Sequence, residues 1–80
     1  MRRRINEGVP IPLSEMVVGM RVHLKGTEFG CVWKIVGFER DEHGEMWLRL
    51  QTPVTGRVSR ARASRARYIR AQEPQRNWHL

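Results

Sequence analysis

Two segments of this chain alternate apolar and polar residues with a period of two, and that pattern excludes most folds other than sheets. In residues 20–25, Met20, Val22 and Leu24 point one way, and Arg21, His23 and Lys25 the other. In residues 45–51, Met46, Leu48 and Leu50 alternate with Trp47, Arg49 and Gln51. Gly19 and Gly26 bound the first strand, where glycine punctuates regular structure. Between the two lies residues 31–39, with Val32, Trp33, Ile35, Val36 and Phe38. Both of its faces are apolar, so it reads as the central strand, with Cys31 as a small buried hydrophobe and Trp33 in the core. Gly37 inside it predicts a bulge or sharp bend.

Asp41-Glu42-His43-Gly44 is a hairpin turn, with Asp at its start and Gly supplying positive φ near its end. Residues 52–56 form a second loop around Pro53 and Gly56. Beyond it, residues 57–60 read as a short fourth strand, 61–66 as one tight helical turn, and 68–70 as a fifth strand. The competing reading is one continuous helix over 57–71, since Ala and Arg are good helix formers. Residues 1–15, with Pro10 and Pro12 set between Val9, Ile11 and Leu13, read as an extended arm; 16–72 is the folded domain and 73–80 a tail.

The expected fold is all-β: a five-stranded SH3-like barrel with a short helical turn before the last strand. Gly19-Met20-Arg21-Val22, Lys25-Gly26, Gly30 and Ile35-Val36-Gly37-Phe38 are similar to the opening hairpin of KOW-type domains. They are also similar to the plasmid-encoded type II dihydrofolate reductases, which are SH3-like chains of this length. The first resemblance implies binding of RNA or protein. The second implies the fold alone. That family carries Val-Gln-Ile-Tyr on its fourth strand, where this chain has Arg57-Val58-Ser59-Arg60, so neither its activity nor its tetramer is carried over. Size and the plasmid-borne family together suggest a phage or other mobile element.

Charge narrows the function. The 80 residues carry a net charge of +7, and all their basic residues but Lys25 and Lys34 are Arg. Arg matches phosphate and carboxylate geometry with a planar fork of donors. No acidic residue occurs from Met46 to Gln72, a stretch holding Arg49, Arg57, Arg60, Arg62, Arg65, Arg67 and Arg70. Such crowding destabilises the unliganded protein mildly, and a polyanion relieves it. The candidate site is therefore these Arg residues together with Tyr68 and Trp47 as base-stacking rings, although both aromatics also suit a core or half-core position. Arg2-Arg3-Arg4 is a second candidate anchor. The expected function is nucleic-acid binding through the phosphate backbone. The alternative is a protein-interaction module or inhibitor docking the same Arg face on an acidic surface, with Trp47 or Trp78 as anchors.

Other chemistries find no foothold. His23, His43 and His79 are scattered and Cys31 is the only cysteine, so no zinc spacing and no intrachain disulfide exist. The acidic turn of Glu39, Asp41, Glu42 and Glu45 lacks the ligand pattern of a Mg²⁺ or Ca²⁺ site. No phosphate loop or hydrolase elbow occurs, and a Cys31/His23 pair has no third group to orient it. No enzyme activity, cofactor or metal is expected. No apolar run is long enough for a membrane span or signal peptide, and the chain reads as cytoplasmic. Edge strands leave a homodimer open.

Overall fold

The computed structural model describes residues 8–27, 31–52 and 54–69. It is all-β, with five antiparallel strands and two short 3₁₀ turns. In chain order these are a 3₁₀ turn at Leu13–Glu15, β1 (Arg21–Leu24), β2 (Trp33–Arg40), β3 (Met46–Gln51), β4 (Val58–Arg62), a second 3₁₀ turn at Ala63–Arg65, and β5 (Ala66–Arg67). The sheet order is β4-β3-β2-β1-β5. β2 is central, as its apolar content predicts. Residues 57–71 follow the strand–turn–strand reading over their described part, not the helical one.

Alternation fixes the inward face. Val22, Ile35, Leu48 and Leu50 are fully buried, and the register brings Ile35 opposite Leu50 on adjacent strands. Ala61 on β4 lies opposite Leu48, so a small side chain sits beside a large one. The register of β2 against β3 shifts between Ile35 and Gly37. Val36 is the extra residue of the expected bulge, which bends and twists the strand. β2 is nevertheless not buried on both faces: Lys34 and Glu39 on its outward side are exposed, and even on the inward side Phe38 is 37% exposed and Trp33 is only partly buried against the core.

The β2–β3 hairpin turns on Asp41. Its Oδ1 accepts the backbone N–H groups of His43 at 2.8 Å and Glu45 at 2.9 Å. Gly44, at φ +83°, takes the left-handed conformation that closes the turn.

The last strand departs from expectation. β5 comprises Ala66 and Arg67 rather than residues 68–70, because Ala66 pairs with Leu24 and Arg67 with His23. Tyr68 N–H instead donates to the Val9 carbonyl at 3.0 Å, and Ile11 N–H to the Ala66 carbonyl at 3.2 Å. Within the expected N-terminal arm, residues 9–11 thus run beside β5, and Ile11 joins the core. Among the described residues no ladder joins β4 to β5. The hydrogen-bonded sheet is open there, not a closed barrel, because the second 3₁₀ turn occupies the corner and β5 is only two residues long.

Candidate nucleic-acid interface

The outward face of β1–β4 collects cations by register. Arg49 on β3 stands directly opposite Arg60 on β4, and Arg21 on β1 opposite Lys34 on β2. Arg62 lies opposite Trp47. Like charges directly opposed across a ladder destabilise it, and this face has two such pairs. Five cations share it with Glu39 and, at the hairpin end, Asp41 and Glu45. Glu39 meets Arg60 at 3.8 Å with both side chains about half exposed, which contributes only about 0–1 kcal/mol.

Trp47 organises the centre. The guanidinium carbon of Arg60 lies 4.3 Å from its ring centroid and that of Arg62 5.3 Å, within cation–π range. The indole N–H donates to Asp41 Oδ2 at 2.8 Å. One carboxylate therefore closes the hairpin and also fixes the ring that carries two arginines. That indole bond, the two backbone bonds and the nearby Arg62 charge hold the Asp41 carboxyl below its ordinary 3.8. Because the ionised form is favoured in the fold, this stability is complete above the ordinary carboxylate range. It is lost as pH falls through the lowered value. In acid titrations followed by circular dichroism, Asp41→Asn is expected to reduce the loss of stability below about pH 4.

The remaining arginines of the basic stretch part company. Arg65 is exposed, but its Nε and Nη2 both donate to the Lys25 carbonyl, at 3.2 and 3.0 Å, at the turn after β1. Arg57 is exposed at the entry to β4. Arg67 is only 8% exposed, and its Nη1 donates to the carbonyls of Ser64 at 2.7 Å and Ala66 at 2.9 Å. It corrects the expectation of a phosphate contact: the guanidinium is turned back onto the backbone carbonyls of the second 3₁₀ turn and the start of β5 instead of standing in solvent. Arg67→Met is expected to cost about 2–3 kcal/mol of stability, the scale of bonds from a charged donor. Urea unfolding would read that loss, while the salt dependence of ligand binding stays at the wild-type slope.

Tyr68 also leaves the candidate site. It is 5% exposed and its hydroxyl donates to Glu15 Oε1. That hydrogen bond, burial and the Glu15 charge raise the phenol above its ordinary value. Arg70, Trp78 and Arg2-Arg3-Arg4 lie outside the described residues. Arg21 and Lys34 were not singled out from sequence. Arg21 stood on a recognised polar face, but only the β1–β2 register pairs it with Lys34.

Beside this face, at the start of β2 and β4, lies an apolar groove of about 650 Å³ lined by residues that include Val32, Trp33, Val54, Arg57 and Ser59. Trp33 and Ser59 lie opposite Val22 and Leu50, so both sit on the inward face, uncovered at this end. The indole N–H of Trp33 is buried without a hydrogen-bond partner. Cys31, expected to be buried, is exposed at the same groove, because β2 begins two residues later. His23 Nδ1 lies 2.8 Å from the Cys31 carbonyl oxygen, a backbone contact and not a nucleophile–base pair. Among the described residues no three His, Cys, Asp or Glu side chains group to hold a metal, and no helix is long and apolar enough to cross a membrane.

No protein family, curated protein or solved structure matches the chain.

Proposed function

We propose that this protein binds nucleic acid through the outward face of β1–β4, with Arg21, Lys34, Arg49, Arg60 and Arg62 meeting phosphates. The observation that carries this reading is the register, which sets like charges directly opposite each other twice on one face, Arg49 across from Arg60 and Arg21 across from Lys34. A sheet that opposes cations twice on one face is relieved by a polyanion laid across it. Trp47 serves here as the support for two guanidinium groups rather than as an open stacking ring. The strand order, with a 3₁₀ turn between β4 and β5, supports a likeness to SH3-like and KOW-type domains. That likeness is an analogy of fold and carries no ligand by itself. Contacts directed at the backbone imply weak sequence preference and steep salt dependence.

The test is fluorescence anisotropy of labelled single- and double-stranded DNA and RNA at about 50 and 200 mM salt. Micromolar or tighter binding that persists at the higher salt is expected. Binding that is absent, or vanishes at the higher salt, would remove the reading.

A second reading docks the same cations on an acidic protein surface. It is favoured by Val54 and Val58, which are 92% and 47% exposed beside the basic face. A stoichiometric protein complex that survives nuclease treatment would select it.

A further inference from the structure

We infer that the nucleic acid bound is single-stranded, and that one unstacked base sits in the groove against Trp33. This rests on the nucleic-acid reading above and names the form of its ligand. The groove is where the inward, apolar face of the sheet is left uncovered among the described residues. Val32 and Trp33 supply apolar wall, Val54 stands exposed at the rim, and Arg57 supplies a cation within the groove itself.

Its surroundings select the occupant. Ser59 lines both this groove and a cleft formed with Glu39, Arg49 and Arg60. Val32 lines both the groove and a cleft formed with Arg21 and Lys34. The apolar groove thus shares one residue with each of two clefts that hold cations of the outward face, Ser59 on the edge strand β4 and Val32 at the start of β2. A fitting ligand has a flat apolar body continuous with anionic groups. A nucleotide within a strand has that form. Base–aromatic stacking is also tolerant of sequence, because every base has a π-face. A duplex keeps its bases paired inside and offers the groove only phosphate.

The test follows the Trp33 indole N–H resonance in the ¹⁵N-labelled full chain, assigned with Trp33→Phe. Four probes are added: oligothymidylate of about 12 nucleotides, within the site size of small single-strand binders, a duplex of equal length, inorganic polyphosphate, and an acidic, apolar peptide. The single strand is expected to move the Trp33 signal and to bind about tenfold or more tighter than the duplex or the polyphosphate, the scale of one stacked base. Val54→Asn removes apolar surface at the exposed rim of the groove without adding charge, at a position where folding is insensitive to it. It is expected to weaken the single strand about threefold and to leave duplex affinity unchanged. Single-strand binding with an unmoved Trp33 signal, or equal affinity for duplex, would overturn the seated base while leaving the polyanion face intact. A Trp33 shift with an acidic, apolar peptide but none with the oligonucleotide would reassign the groove to a protein partner. No binding of any nucleic-acid probe would remove both readings together.

Discussion

Replacing Arg49, Arg60 and Arg62 together with Gln is expected to lower nucleic-acid affinity by about 10- to 100-fold at near-physiological salt. Each cation that meets a phosphate releases condensed counterion, and the slope of log K against log salt changes by about 0.7–0.9 per neutralised phosphate. Leaving three phosphates unpaired should therefore flatten the slope by about 2–3. Affinity alone cannot separate missing charge from a disturbed fold, whereas the slope reports the number of phosphates neutralised. All three side chains are exposed. The substitutions end the Arg49–Arg60 opposition but also remove the Arg60–Glu39 ion pair and both cation–π contacts on Trp47, so a net cost of about 1–2 kcal/mol is expected, small enough to leave the chain folded. A triple variant that stays folded, yet binds with unchanged affinity and slope, would place the site elsewhere. The Arg65 side of the molecule is the natural next candidate.

Leu48→Ala should be among the most destabilising single changes in the chain, at about 2–5 kcal/mol. Leu48 is fully buried and faces Ala61 on β4 and Phe38 on β2. Ala61 has no side chain long enough to fill the space left, so the cavity should persist and the cost lie toward the upper half of that range. A chain of this size has a total stability of only about 4–12 kcal/mol. Urea unfolding should show a large fall in midpoint with little change in slope. A loss below about 1 kcal/mol would mean that the β3–β4 layer is not packed as described.

The strands were legible because their signals are local. Met20, Val22 and Leu24 alternate, as do Met46, Leu48 and Leu50, and period two needs no distant information. The hairpin at Asp41–Gly44 was legible for the same reason, since Asp and Gly act on their own backbone. The bulge at Val36–Gly37 was read from one glycine.

The composition of the site was not legible, because it depends on register and on where chain segments lie. Seven arginines between residues 49 and 70 look like one patch along the chain. In space, β4 ends at Arg62 and the 3₁₀ turn redirects the backbone, so Arg65 comes to cap the Lys25 carbonyl. Arg67 is buried with its guanidinium turned back onto the Ser64 and Ala66 carbonyls. Nothing near Arg67 in sequence signals that. Arg21 and Lys34 join the face through a pairing thirteen residues apart, which only the β1–β2 register reveals. Trp47 was recognised as lying on a polar face. Its role in carrying Arg60 and Arg62 needed both the β4 register and the Asp41 bond.

The most direct measurement is a heteronuclear NMR titration that follows the arginine Nε–H and tryptophan Nε1–H signals of the full chain. A short single-stranded oligonucleotide is added at about 0.15 M salt, where nonspecific surface attraction is screened beyond about 8 Å. Saturable shifts on Arg21, Arg49, Arg60, Arg62 and Trp47 of the outward face, and on Arg57 and Trp33 at the groove, with Arg67 unmoved, are the predicted result. Shifts confined to Arg65 and the second 3₁₀ turn, or no saturable shifts at all, would contradict the outward face of β1–β4 as the binding surface.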